Sequence, residues 1–526
     1  MKKRTLLFSS MFLLLVHIFM LAFVYRRMPA LLDSDMSSEM VLGKLLSEEH
    51  RPITKSWYYS TEIRVLNTQL LYAFFFQFVK SWKVVRILAT AVLHLILTGS
   101  VIYCCNQAGY RKESILIAVI CFIPLTQDYY YIMLMGCYYV PCISISFLTL
   151  GLCMAYAKSR KIEGLLIVGI LAFLAGLGGI RQIVILYFPL LICCVVMGVM
   201  EIPKSGWKAY YQSEKIAMQY VSLVGLLACT MGYLINANIF AKNFYFQQWD
   251  KIEYTNLEIQ RVTTILHDML VTLGYHSGEL NFENTIWNGI SFCLAFLLVM
   301  SVIHGLHAKG NRLFLTVFFL SNTAVLFLLY GFTNMDYTAR YNFPVMVFGF
   351  PLMVFELREL SCGNAPKYTK QSIFAVSIGM IMLSSGMTLQ SLREYNRTHS
   401  IPMVAEFLSH NDYHNGYATF WHGNILTEFT NGEVEVYAWK TSGEDGKGIQ
   451  STASVNELFR WLQKTKHFSE KPKGKVFILL TRNELEYCRF NTDLVGEDLV
   501  YADDEFLIYG YENYEVMQEH LQKSIT

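Results

Sequence analysis

The chain has 526 residues, of which 54% are hydrophobic and only 16% charged, with a formal net charge of +2 and a mean hydropathy of +0.34. That balance is too apolar for an ordinary soluble protein, and a charge so near zero gives a nucleic-acid partner no electrostatic support. Twelve cysteines do not make a disulfide scaffold here, because most lie inside apolar segments, as Cys104, Cys105, Cys193 and Cys194 do, and only Cys488 falls in the polar tail.

Stretches such as 6–24, 165–200, 219–239 and 313–332 reach the ~20 apolar residues needed to cross a hydrocarbon core of ~30 Å. The pattern predicts about eleven helical spans, at 5–25, 83–105, 114–127, 139–157, 164–180, 183–200, 217–239, 287–307, 313–332, 342–358 and 372–390. The first follows Lys2, Lys3 and Arg4 with no small-x-small cleavage site after it, which reads as a retained anchor. The third is interrupted at Pro124 and the fifth and sixth at Gly178-Gly179, places compatible with a half-inserted or re-entrant element.

Lysine and arginine are retained on the cytoplasmic side of short loops. Arg111-Lys112, 158–161, Lys204, Lys208, Lys215, Lys309, Arg312, Lys367 and Lys370 therefore go inside, with the N-terminus. Segments 26–82, 127–138, 240–286 and 333–341, and everything after about 391, are left on the outer face. The expected architecture is a polytopic α-helical membrane domain over 1–390, with a first outer loop at 26–82, and a small extracytoplasmic α/β domain over 391–526. In that tail, strand-like runs at 416–421, 434–439, 476–481 and 506–511 surround a predicted helix at 455–465. The Lys, Ile and Tyr usage points to a bacterial plasma membrane.

The first outer loop is the most informative segment. Asp33-Ser34-Asp35 leads from the first span into a short amphipathic helix containing Met40, Leu42 and Leu45. If the stretch is extended, the two carboxylates share one direction, and Asp35 is also suited to cap the helix. A carboxylate against apolar walls has a raised pKa and can take a proton from a substrate hydroxyl; the bland alternative is one cap and one solvated acid. Next come Trp57, Tyr58, Tyr59, Glu62 and Arg64. Aromatics interleaved with polar groups suit a sugar or a lipid headgroup, and equally the aromatic belt of a membrane interface.

Asp128, beside Tyr129, Tyr130 and Tyr131, is a candidate second catalytic or metal-binding carboxylate, or a solvated residue at a span end. Arg181, in Gly178-Gly179-Ile180-Arg181-Gln182, and Arg340, before Tyr341 and Pro344, stand where an anion would be met. A guanidinium holds a phosphate through two parallel hydrogen bonds; snorkelling, or pairing with Asp336, is the alternative. His276, His414 and His422 lack zinc-site spacing, and neither a phosphate-binding loop nor a nucleophile elbow is present.

Asp33-Ser34-Asp35 with its helix and Tyr-rich stretch resembles the first outer loop of the GT-C membrane glycosyltransferases, which include protein O-mannosyltransferases and aminoarabinose transferases. Gly136-Cys137-Tyr138-Tyr139, Arg340-Tyr341 with Pro344, and the tail segment Gly416-Tyr417-Ala418-Thr419-Phe420-Trp421 add to the resemblance, which spans most of the chain. It implies inverting transfer of a sugar from a polyprenyl-phosphate carrier to an acceptor hydroxyl. Asp33 is then the candidate base and Asp35 the alternative, Arg181 and Arg340 are the phosphate partners, and Trp57, Tyr58, Tyr59, Glu62, Asp128 and Tyr138 are possible substrate contacts. Many relatives carry an acid where this chain has Asn67, so either Glu62 takes that role or the role is absent.

A lipid-linked donor brings its own phosphate leaving group, so no soluble cofactor is required; metal dependence stays open, with a divalent cation possible. The implied partners are the bilayer, the lipid-linked sugar and a glycan, lipid or protein acceptor. The competing readings are a lipid-linked sugar flippase, against which stand the lack of an inverted repeat and the gathering of polar groups on one face, and a catalytically silent scaffold.

Overall fold

A chain surrounded by hydrocarbon must satisfy every backbone N–H and C=O within itself, so the apolar runs fold as long helices. The structure is a computed structural model that describes residues 3–246, 252–278, 281–362, 367–398, 400–439, 458–487 and 496–522. The first part runs α1 (Lys3–Leu31), α2 (Ser34–Glu49), β1 (Trp57–Tyr59), α3 (Thr68–Phe76), α4 (Trp82–Ala108), α5 (Ser114–Ile120) and α6 (Gln127–Tyr129) with a π-helical turn (Tyr130–Met135). Then come α7 (Val140–Ser159), α8 (Ile162–Gly176), α9 (Phe188–Gln212, entered by a π-helical turn at Ile183–Tyr187), α10 (Glu214–Ile235), α11 (Ala241–Asn243), β2 (Tyr245–Phe246) and α12 (Ile259–Val271). The membrane domain closes with α13 (Phe282–His307), α14 (Asn311–Gly331), α15 (Phe343–Cys362) and α16 (Lys367–Glu394).

Among the described residues, eight helices are long and apolar enough to cross a membrane, and each falls on an expected span. The other three expected spans differ. The span at 114–127 is helical only through α5, because the chain turns out before Pro124, which cannot continue a helix. The one at 164–180 is the 15-residue α8, followed by a turn with Gly179 at φ 102°. The one at 342–358 is α15, which is more charged than the rest. Those charges are paired at the end of the bundle, with Arg312 Nη2 2.7 Å and His304 Nδ1 2.6 Å from Glu356 and Arg358 Nε 3.1 Å from Glu113. Small residues set the helix spacing: a Cβ on Gly176 would overlap the Cys229 carbonyl, and one on Gly232 the Phe173 carbonyl.

The C-terminal domain comprises α17 (Ile401–His410), β3 (Asn415–Thr419), α18 (Phe420–Phe429), β4 (Glu435–Trp439), β5 (Gln463–Lys464), β6 (Val476–Thr481), α19 (Arg482–Tyr487), β7 (Leu499–Ala502), β8 (Phe506–Tyr511) and α20 (Tyr514–Gln522). Its sheet has the order β4-β3-β6-β8-β7, parallel across β4, β3 and β6 and antiparallel beyond. Two expected strands coincide with β6 and β8, and the other two with β3 and β4 to within two residues. The period of two is visible in the packing. Val476, Ile478 and Leu480 fill a core with Tyr417 and Trp439, whereas Phe477 and Leu479 face the cluster continuous with the helical bundle.

The helix expected at 455–465 is corrected. Residues 455–457 lie outside the described set; Leu458 makes a single bridge to Trp439, the chain bends at Trp461 and Leu462 (φ 47°), and Gln463–Lys464 form β5. Pairing overrides local helical pattern there: β5 lies antiparallel to β1, with Trp57 opposite Lys464 and Tyr58 opposite Gln463. The first loop and the C-terminal domain therefore share one face of the bundle.

Candidate active site

The site grows from the end of α1. Leu32 and Asp33 separate α1 from α2; Asp33 is extended (φ −128°, ψ 169°), and the next residue starts α2. Asp33, not Asp35, is thus the N-cap, with Oδ1 accepting from the Met36 N–H at 2.7 Å. The expectation that the two carboxylates project together from an extended strand is corrected, because Asp35 already lies in the first turn of the helix. The Tyr138 hydroxyl also donates to Asp33 Oδ1, at 3.3 Å. Arg397 Nη1 lies 3.2 Å from Oδ2 while its guanidinium sits 4.8 Å over the Tyr131 ring. Both oxygens of Asp33 are engaged.

Asp35 is different. Half-buried, it has no hydrogen-bond or ion-pair partner among the described residues. Burial, reinforced by the charge of Asp33, pushes its pKa up to about 6 against the pull of Arg340, Arg64 and Arg397. One helical turn on, Glu39 accepts from Asn67 Nδ2 and Thr68 Oγ1, each at 3.4 Å. Burial raises its pKa too, against Arg64. An acid of α2 that the sequence reading did not weigh thus stands beside Asn67, and the i, i+4 spacing of Asp35 and Glu39 was its signal in the sequence.

A shallow open cleft lies between the start of α3, α7 and the turn after α8, lined by Glu62, Arg64, Asn67, Tyr138, Arg181 and Gln182, among others. Glu62 lies against Gly179, where a Cβ would overlap its carboxylate, and stands 3.8 Å from Arg64 Nε. Gln182 Nε2 donates to the Cys142 carbonyl at 2.9 Å, and its buried Oε1 has no partner among the described residues. Arg181 packs 4.8 Å over Tyr139. Arg340 is exposed, 5.8 Å from the Tyr341 ring, which stacks on Tyr330. Neither arginine forms an ion pair among the described residues, so the alternative pairing of Arg340 with Asp336 is not what the structure has.

The aromatic run stands elsewhere. Trp57 and Tyr59 are buried in the core of the first loop, where the Tyr59 hydroxyl meets the Thr54 backbone at 3.1 Å. Tyr58 packs on Tyr245 and Phe468. None of the three lines the cavity. Asp128 is exposed on α6, near enough to Arg397 and Arg340 to feel both charges. Arg397, Glu39 and Arg64 are the members that sequence reasoning did not select. Among the described residues, no three His, Cys, Asp or Glu side chains group as metal ligands.

No family model and no curated protein sequence matches the chain. Its structure is similar to the crystal structure of ArnT from Cupriavidus metallidurans bound to undecaprenyl phosphate, with a TM-score of 0.55 and 12% identity over 97% of this chain and 98% of ArnT. It is also similar to the Archaeoglobus fulgidus oligosaccharyltransferase tethered with an acceptor peptide containing the NVT sequon, with a TM-score of 0.46 and 9% identity over 89% of this chain and 69% of that one. The chain has the fold of ArnT.

Proposed function

We propose that this chain is a glycosyltransferase that moves a sugar from a polyprenyl-phosphate carrier to an acceptor hydroxyl, with inversion, at the outer face of a bacterial plasma membrane. The observation that carries the reading is a half-buried Asp35, unpartnered among the described residues and within electrostatic reach of Arg340 and Arg64, beside an open cleft whose wall includes Arg64, Tyr138 and Arg181 but not Asp35 or Arg340. The ArnT-like fold supports the lipid carrier, since that protein was crystallised with undecaprenyl phosphate. The outer-face assignment follows from the basic loops opposite the shared face of the first loop and the C-terminal domain.

In this reading Asp35 is the base and Asp33 the organiser, since both oxygens of Asp33 are already engaged. With a pKa of about 6, Asp35 is mostly ionised at neutral pH and still basic enough to accept a proton. The acceptor oxygen bonds to the anomeric carbon as its proton passes to Asp35. The bond from that carbon to the carrier phosphate breaks, and its electron pair leaves with the phosphate. Arg181 and Arg340, with Arg64 at the cavity wall, meet the charge that develops there. The acceptor is a glycan, a lipid or a protein, and the transferred group a hexose or pentose.

The test is transfer of radiolabelled sugar from a panel of polyprenyl-phosphate donors by membranes containing the wild type, Asp33→Asn or Asp35→Asn. Transfer by the wild type that Asp35→Asn abolishes and Asp33→Asn only weakens is the expected result. Labelled lipid that changes leaflet without transfer would replace the enzyme with a flippase.

A further inference from the structure

Arg86, one turn into α4, is fully buried. Its Nε and Nη2 meet Glu428 Oε1 and Oε2 on α18 at 2.8 and 2.6 Å. Nη2 also donates to the Met36 carbonyl on α2 at 3.0 Å, and Nη1 to the Tyr72 hydroxyl on α3 at 3.1 Å. One guanidinium joins four helices. Only 3% of the Glu428 side chain is exposed, so the pair is taken wholly out of water.

A buried ion pair is a poor source of stability, because desolvation offsets the attraction and an apolar pair of similar volume does as well or better. What this pair supplies is a fixed place for Met36. The Met36 N–H is held by the Asp33 carboxylate and its C=O by Arg86, so the first turn of α2 is gripped from both sides. Asp35 lies in that turn. The C-terminal domain reaches the same helix at two more points: Ser34 Oγ donates to the Phe420 carbonyl at 2.6 Å, and Asn424 Nδ2 donates to Ser38 Oγ at 2.7 Å. On its far side α2 is pressed against α3, where a Cβ on Gly43 would overlap Tyr72.

We infer that the Arg86–Glu428 pair is a positioning device through which the C-terminal domain sets the first turn of α2, and with it the Asp33 and Asp35 carboxylates. Neither residue touches substrate. The domain is then part of the catalytic apparatus and not an appended module. The activity readout of this inference rests on the glycosyl-transfer reading; the backbone readout does not.

The experiment uses the full chain in detergent or nanodiscs and compares the wild type with Arg86→Met/Glu428→Met, which replaces the pair by apolar side chains of similar length. Three quantities are read: thermal unfolding, hydrogen exchange of the backbone around Met36, and sugar transfer. The expected result is unchanged unfolding, at least tenfold faster exchange around Met36, and a fall in kcat of at least tenfold with the donor KM within twofold. Asn424→Ala, which removes one contact from the same interface, gives the same pattern on a smaller scale and serves if the double variant fails to fold. Wild-type exchange and transfer in a stably folded double variant, or in Asn424→Ala if that alone folds, would overturn the inference. Faster exchange around Met36 with no transfer even by the wild type upholds the positioning device and removes the enzyme reading instead.

Discussion

Arg397 and Asp33, 364 residues apart in the chain, meet through a guanidinium nitrogen 3.2 Å from a carboxylate oxygen. The contact ties the segment after the last membrane helix to the start of the first loop, and it is reinforced where the Arg397 N–H donates to the Ala30 carbonyl at 2.7 Å. Both members act on Asp35, Asp33 raising its pKa and Arg397 lowering it. Arg397→Gln is therefore expected to move the acid limb of the pH profile of kcat/KM to higher pH, and Asp33→Asn to move it to lower pH. Limbs that stay in place in both variants would remove Asp35 as the titrating base.

Asp35 also links activity to stability. Its folded pKa is raised from 3.8 to about 6, so the folded state holds the proton more tightly than the unfolded chain, and stability falls as pH rises through that window. Asp35→Asn removes the cost. The variant should be more stable than wild type at pH 7.5, by at most about 3 kcal/mol at ~1.4 kcal/mol per pKa unit, and little different at pH 4. Thermal unfolding at the two pH values checks this, and transfer should be lost in the same protein.

At Asp33 the substitution chemistry separates capping from charge. Asp33→Asn keeps an oxygen for the Met36 N–H, whereas Asp33→Ala removes it and should cost about 1 kcal/mol of stability beyond the Asn variant. Equal unfolding temperatures for the two would mean that the cap contributes nothing.

Arg181 and Arg340 serve the leaving group in the proposed mechanism. Alanine at either should lower transfer by about 10²–10³-fold, the loss seen when one donor to a developing oxyanion is removed, and lysine should restore part of it. Normal turnover with alanine at both positions would send the donor phosphate elsewhere.

Gly179 adopts φ 102°, a backbone that only glycine takes without strain, and a methyl group there would overlap the Glu62 carboxylate. Gly179→Ala should cost about 1–3 kcal/mol and reshape the cavity wall. Unfolding and transfer like those of the wild type would show that this turn tolerates a side chain.

Hydrophobic periodicity and charge patterning are local properties. They sufficed to place the long helices, strands β6 and β8, and the loop acids Asp33 and Asp35, because a span or a strand is dictated by residues a few positions apart. The sequence alone also carried Arg181 and Arg340 as charges at span edges. Which acid caps α2 and which stands free was decided by a single extended residue at Asp33. Trp57 and Tyr59 were drawn into a core by β1 pairing with β5, a contact that no local pattern announces. Glu39 stands one helical turn from Asp35 and meets Asn67 and Thr68 within the first loop, but Arg397 and the Arg86–Glu428 pair act through contacts between segments far apart in the chain, whose geometry exists only once the segments after the last membrane helix have folded onto the first loop.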